Sequence, residues 1–347
     1  MPITNSAPPL STIDEVGIMP DGSVDGAPVI FAYAIDGKGP GQPLLGDDVA
    51  RLLADDRLAW AHLDANHPQT NALLTRELSY LDPFVVQALL AEETRPRLAP
   101  IGDGLLLILR GVNLNENADP EDMVSIRIFV DPHRIISVCK RKLKAVGDLQ
   151  NFVAAGTGPK NSGDFVCMLM GLLFARMTPA VSTLTEAMDV IEETILDAAA
   201  AADRETVLAV RKKAIVFRRY MAPQRDLVVQ LQELKMAWID KVDQRHLVEV
   251  HDSITRVIEE LDAVRERAQI INDEVTNQLT ERLNKNMYAL SVIAAIFLPL
   301  GFLTGLLGIN IGGIPGAENP SAFLIFCALL AMVVALQMII FRKLRWF

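Results

Sequence analysis

A chain of 347 residues has room for one to three domains, and 33 Lys and Arg against 43 Asp and Glu give it a net charge of −10. That balance excludes a protein built to read nucleic-acid phosphates, which needs a cationic face. Half of the residues are apolar and the mean hydropathy is +0.26, high for a soluble protein, an excess that two apolar runs near the end of the chain supply.

Residues 1–27 are rich in Pro, Gly and Ser and read as an irregular N-terminal segment. They hold neither a basic n-region nor an apolar h-region, which predicts that the body after them stays in the cytoplasm. Cys139, Cys167 and Cys327 are odd in number and lack CxxC spacing, as in a reducing compartment and without a metal knuckle. PVIFAYAI (28–35) and RLAWAHL (57–63) read as strands, with a short helix from Leu45 to Leu53 between them. Thr70 to Tyr80 and Pro83 to Ala91 read as helices, the second with proline in its first turn. Three strand candidates follow: GLLLILRGV (104–112), MVSIRIFVD (123–131) and HRIISVCK (133–140). Asp131-Pro132 is the turn between the last two. Lys144 to Ala154 reads as helix. Early alternation followed by a meander predicts a mixed α/β domain over 28–160.

From Gly163 the pattern is almost purely helical, and residues 161–286 read as a helical stalk. Helices are expected at 164–201, 203–236 and 243–309, with breaks at Ala202-Asp203 and around Asp240. Pro179 and Pro223 should kink or interrupt the first two. The third has no Pro or Gly from Asp243 until Pro299, and at 1.5 Å per residue it would be roughly 100 Å long. Val257, Leu261, Val264, Ala268, Ile271, Val275 and Leu279 give it one apolar stripe. A second stripe lies nearly opposite: Asp273, Asn277, Thr280, Asn284, Met287, Ser291, Ala294, Leu298, Gly301, Gly305 and Gly308. It is polar at first and small or apolar later. Such a face either lines an axis or, in its polar half, is merely solvated, and periodicity weighs the two evenly.

Met287 to Leu307 and Ser321 to Phe341 contain no charged residue, and each is long enough to cross the hydrocarbon core as a helix. Two adjacent runs of this kind argue against buried core helices and predict a transmembrane hairpin over 287–341. Arg282 and Lys285 precede the first run; Arg342, Lys343 and Arg345 lie in the tail 342–347 after the second. The loop 311–320 has neither Lys nor Arg and one acid, Glu318. The excess of positive charge puts both termini in the cytoplasm and the loop outside. Two spans cannot enclose a water-filled path, so conduction would require an oligomer with the first helix around its axis. Gly301, Gly305 and Gly308 fit close helix approach there, or ordinary small-residue packing.

Gly308-Ile309-Asn310 closes the first span, and at this place the chain resembles the CorA metal-ion transporter superfamily, whose signature is Gly-Met-Asn. IFLPLGFLTGLL before it is similar to that family's pore helix. GINIGGIPGAENP, and residues 90–138, resemble its ZntB zinc-transporter branch. The resemblance implies a funnel-shaped homopentamer of the inner membrane that transports divalent cations, with zinc uptake foremost and no cofactor. It implies that Gly308 and Asn310 shape the outer mouth, where oxygens of Asn310 would hold the metal through its bound water. Glu318 would concentrate cations there. Asn284 matches a polar ring at the inner end of the pore, and Met287, Leu290 and Leu298 match hydrophobic constrictions. Asp273 matches an acidic ring below the membrane. Arg342, Lys343 and Arg345 match a basic collar around the inner mouth. Ile309 departs from the signature Met, and Leu307 from a usual aromatic. Zinc rests on the resemblance alone, because the path contains no His or Cys, the ligands zinc prefers. Proton coupling is associated with the branch, and export has been proposed for it. No Asp, Glu or His lies within either span to relay a proton.

Other residues carry weaker signals. His62 and His67 flank Asp64, a possible soft-metal site but more simply a strand end and turn. His246 and His251 stand about 140° apart on a helix and cannot share a face. His246 with Glu249 is better placed, as a cation site between subunits or as a surface pair. The basic run Lys140, Arg141, Lys142 and Lys144 reads as a solvated face. GxSxG, HExxH and the P-loop pattern are all missing, so neither an enzyme nor ATP-driven transport is expected. The rivals are a magnesium or broad divalent channel of the same architecture, and a membrane-anchored sensor or scaffold. A mere tether has no need for a polar face aligned with its membrane helix.

Overall fold

The computed structural model describes residues 27–45, 49, 53, 57–78, 80–92, 95–196, 204–308 and 319–343. The chain divides into two units between Asn272 and Asp273. The first is built on a seven-stranded sheet. Its strands are β1 (Val29–Ala34), β2 (Gln42–Pro43), β3 (Ala59–Asp64), β4 (Arg97–Ile101), β5 (Gly104–Gly111), β6 (Val124–Val130) and β7 (Arg134–Cys139). Their order is β2-β1-β3-β7-β6-β5-β4. β3 and β7 pair in parallel, with Ala59 opposite Arg134 and His62 opposite Ser137. The neighbours on either side are antiparallel.

The meander read from the sequence holds, and its turn has a cause. Asp131 Oδ1 accepts from the amides of His133 (2.9 Å) and Arg134 (2.8 Å), folding the chain back from β6 into β7. Two strands were not expected. β4 carries Pro100 and β2 carries Pro43, and proline argues against a strand. Both lie at the edges of the sheet, where a missing amide costs no ladder bond.

The helices are α1 (Thr70–Ala72, continued as a π-turn over Leu73–Glu77), α2 (Pro83–Leu90), α3 (Lys144–Ala154), α4 (Ser162–Ala175), α5 (Thr178–Leu196), α6 (Arg204–Glu233), α7 (Lys241–Leu307) and α8 (Ala322–Lys343). α2 starts where Pro83 and its cap predict: Asp82 accepts from the amide of Phe84 at 2.7 Å. The short helix expected at Leu45 to Leu53 and the break at Ala202-Asp203 lie largely or wholly outside the described residues.

β5 is buried along almost its whole length, so the sheet is covered on both faces. One face gathers Leu63, Leu74, Val85, Leu89, Leu106 and Val138 around α1 and α2. On the other, Trp60 meets Phe165 of α4 edge-on, with ring centroids 5.0 Å apart. Burying each such side chain contributes about 1.5–3 kcal/mol. A buried amide fixes α6: Gln224 Oε1 accepts from the Arg110 amide of β5 at 2.8 Å, beyond the last residue that β4 pairs. α5 and α7 are stapled by Arg267, which meets Asp189 at 2.5 Å and Glu192 at 2.6 Å.

The single helix expected over 164–201 is two helices, α4 and α5. The chain breaks at Arg176-Met177, just before Pro179, which cannot sit in a helix interior without losing a bond. Pro223 does not interrupt α6. The stretch Ser162–Ile195 is apolar enough to cross a membrane, but half of its most apolar window is buried against its own unit. It is core.

Candidate functional site

α7 is one unbroken helix of 67 residues, begun by Asp240, whose Oδ1 accepts from the amides of Val242 and Asp243. Its apolar stripe is buried at Val257, Leu261, Val264, Ala268, Ile271 and Val275, while Leu279 is exposed. The second stripe is exposed throughout. Asp273, Asn277, Thr280, Asn284, Ser291, Ala294, Gly301, Gly305 and Gly308 all face outward. Met287, Leu290 and Leu298 are 66%, 67% and 76% exposed, values a soluble helix would not tolerate on three large apolar side chains. The spacing of three and four keeps this set on one broad side of the helix. Val292, Ala295, Ile296, Pro299 and Leu303 are half-buried on another.

Lys285 pairs with Glu281 one turn earlier at 2.8 Å, and that hydrogen bond holds the Glu281 carboxyl below its usual range. Arg342 and Lys343 occupy the last turn of α8, where cations complement the carbonyl end of a helix. Ile309, Asn310, Glu318 and Arg345 lie outside the described residues.

Sequence reading missed one contact. Pro299 has no amide hydrogen, so the carbonyl of Ala295 one turn earlier loses its helical partner. Gln337 of α8 supplies the bond, donating from Nε2 to that oxygen at 3.1 Å. Its Oε1 is buried with no partner among the described residues. The signal was present: Gln337 is the one amide side chain between Ala322 and Phe341.

The histidines do not gather as Asp64 suggested. His62 is buried, stacked on Phe31, and shares a 2.8 Å hydrogen bond with Ser137 Oγ, which also accepts from Trp60 Nε1. Burial depresses its pKa to about 4. His67 instead accepts from the amide of Gln69 through Nδ1. Cys139 and Cys167 are buried and Cys327 is exposed; none forms a disulfide.

A very long helix that passes from a buried apolar stripe into an exposed face, followed by a second helix uncharged from Ala322 to Phe341, gives two helices long and apolar enough to cross a membrane. Comparison with known proteins gives the family. The profile described as CorA-like Mg2+ transporter protein matches residues 55–343. The chain is 40% identical to the divalent cation transporter CmaX of Pseudomonas aeruginosa, over 92% of this chain and 96% of that one. The solved full-length CmaX structure superposes with a TM-score of 0.80 over 92% of this chain and 98% of that one. The zinc transport protein ZntB of Pectobacterium atrosepticum is 36% identical, over 88% and 92% of the two chains. The CorA magnesium transporter of Methanocaldococcus jannaschii, 20% identical, shares the fold, with a TM-score of 0.74 over 92% and 99%. The chain belongs to the CorA family of metal-ion transporters, and it is not an enzyme.

Proposed function

We propose that the protein carries divalent cations across the bacterial inner membrane, with zinc uptake as its main task, as a homopentamer whose α7 helices line an axial pore. The observation that carries this reading is α7 itself. One rigid helix brings an exposed polar face, Asp273 to Asn284, into line with a small and apolar face that ends at Gly308. A tether needs no such alignment.

In this reading the ion enters at Gly308, Ile309 and Asn310, still largely hydrated, with Glu318 raising its local concentration. Amide oxygens of Asn310 accept from metal-bound water. Met287, Leu290 and Leu298 form apolar constrictions that close by dewetting. Asn284, Thr280, Asn277 and Asp273 receive the ion on the inner side, and Arg342, Lys343 and Arg345 form the collar around it. Each subunit comprises a cytoplasmic α/β domain over 28–160, a helical stalk over 161–286 and a membrane hairpin over 287–341, with both termini inside and 311–320 outside. At 100 mV a divalent ion gains about 4.6 kcal/mol on entry, twice the value for one charge, so the membrane potential alone suffices to drive it.

A second reading keeps the architecture and widens the cargo to magnesium or divalent ions in general. It is favoured by the 40% identical relative, whose name specifies no metal. Flux into liposomes holding the purified protein separates the two, with zinc and magnesium each tested with and without an imposed pH gradient. Zinc uptake in preference to magnesium supports the first reading, and acceleration by a proton gradient adds coupling to it. Magnesium flux governed by voltage alone supports the second. No flux of either returns the chain to a tether. Asn310→Ala should lower flux at least about tenfold while leaving the oligomer intact, the cost of one misplaced ligand set.

A further inference from the structure

The first turn of α4 and the first turns of α7 bring Asp164, Asp243 and His246 together. One ligand atom from each lies within 4.8 Å of the others. Asp243 is 2% exposed. Its Oδ2 accepts from the amide of Asp240 at 3.0 Å, closing a reciprocal cap with Asp240 at the start of α7. That cap explains one carboxylate oxygen and leaves the other, which has no hydrogen-bond donor among the described residues. His246 follows Asp243 by three residues on the same face of α7, and neither of its ring nitrogens has a hydrogen-bond partner among the described residues. Asp164 Oδ2 accepts from the Lys160 amide at 3.0 Å, but no Lys or Arg side chain among the described residues forms an ion pair with Asp164, Asp240 or Asp243. A buried carboxylate beside two more, with only the His246 imidazole near enough to offset it, is costly unless a cation joins it.

The backbone is shaped for this arrangement. A Cβ on Gly163 would lie 2.1 Å from Asp243 Oδ2 and 3.1 Å from the carbonyl of Trp238. Only glycine lets the Asp243 carboxylate stand against α4, one residue from Asp164. Cys167, one turn further along α4, donates its Sγ–H to the carbonyl of Asp243 at 3.4 Å and anchors the same junction.

We propose that Asp164, Asp243 and His246 form a site for a divalent transition-metal ion within a single chain, clamping the start of α4 to the start of α7. Two carboxylates and an imidazole suit zinc, cobalt or nickel, whereas magnesium and calcium take all-oxygen shells. The site is independent of the transport reading, because it uses none of the membrane residues.

The test uses the full-length protein in detergent, stripped of metal with a chelator. Zinc binding is measured by equilibrium dialysis and thermal unfolding by circular dichroism, each with and without excess magnesium. The wild type should bind one more tight zinc per chain than His246→Ala or Asp164→Asn, and zinc should raise its unfolding temperature but not theirs. Gly163→Ala keeps all three ligands yet should weaken this zinc at least about tenfold, because it displaces Asp243. Asn310→Ala should keep it, which separates this site from the outer mouth. Equal zinc stoichiometry and equal thermal shifts in the wild type, His246→Ala and Asp164→Asn would overturn the proposal. So would displacement by magnesium, or loss of this zinc in Asn310→Ala alone.

Discussion

Gln337 and Pro299 form a reciprocal pair. Proline withdraws a hydrogen bond from the Ala295 carbonyl, and an amide on the neighbouring helix restores it. Intramembrane hydrogen bonds of this kind contribute about 0.6 kcal/mol on average and about 1.7 at most. Gln337→Leu should destabilise the protein by that much in SDS-titrated unfolding from mixed micelles. Pro299→Ala gives residue 299 its own amide and should rescue the Gln337→Leu variant; additive losses in the double variant would refute the pairing. His62 acts in the other unit. Its folded pKa of about 4 lies below the ordinary value of 6.5, because burial disfavours the imidazolium. Between those values the unfolded chain takes up a proton that the folded chain refuses. Stability is therefore untouched above pH 6.5 and falls by about 3 kcal/mol as the pH drops toward 4. His62→Gln removes the titration and should flatten that slope in urea unfolding at pH 7 and pH 5.

At the scale of elements, α7 tests the pore reading most directly. A cysteine replacing Asn284 should react with a water-soluble thiol reagent, whereas one replacing Val292, on the half-buried side, should not. Cys139 and Cys167 are buried, so Cys327 is the native thiol that must first be removed. Protection of the Asn284 position under all conditions would mean that the face is packed. The same helix shows why some elements were legible. Its stripes repeat at three and four over many turns, and a cap at Asp240 marks its start, so its ends fell within two residues of expectation. β4 and β2 were not legible, because a strand containing proline is admissible only at an edge, and which strands are edges is set by the order of the whole sheet, not by the local hairpins that pair Pro100 with Leu105 and Pro43 with Tyr33. The break between α4 and α5 was announced by Pro179, which stands at the second position of α5, just past the break at Arg176-Met177.

For the whole molecule, the exposure of Met287, Leu298, Phe302 and Phe323 in the single chain, each at least 66%, calls for an apolar surrounding, and the proposed pentamer would supply part of it. Native mass spectrometry from detergent should report five copies of the 38.1 kDa chain, and Asn310→Ala should leave that mass unchanged. A monomer of full stability would defeat the axial-pore reading, since two spans enclose no path. By itself the sequence determined the two helices long and apolar enough to cross a membrane, the unbroken α7 and the meander β5 to β7, because hydrophobic length and periodicity are local properties that each segment carries within it. The tertiary structure shows how the apolar stretch from Ser162 to Ile195, read from the sequence as part of a helical stalk, buries half of its most apolar window within its own unit. Only it brought Gln337 to the Ala295 carbonyl, and Asp164 to Asp243 and His246. Those pairings join residues 42 or more positions apart in the chain, where no local pattern reaches and packing alone selects the partner.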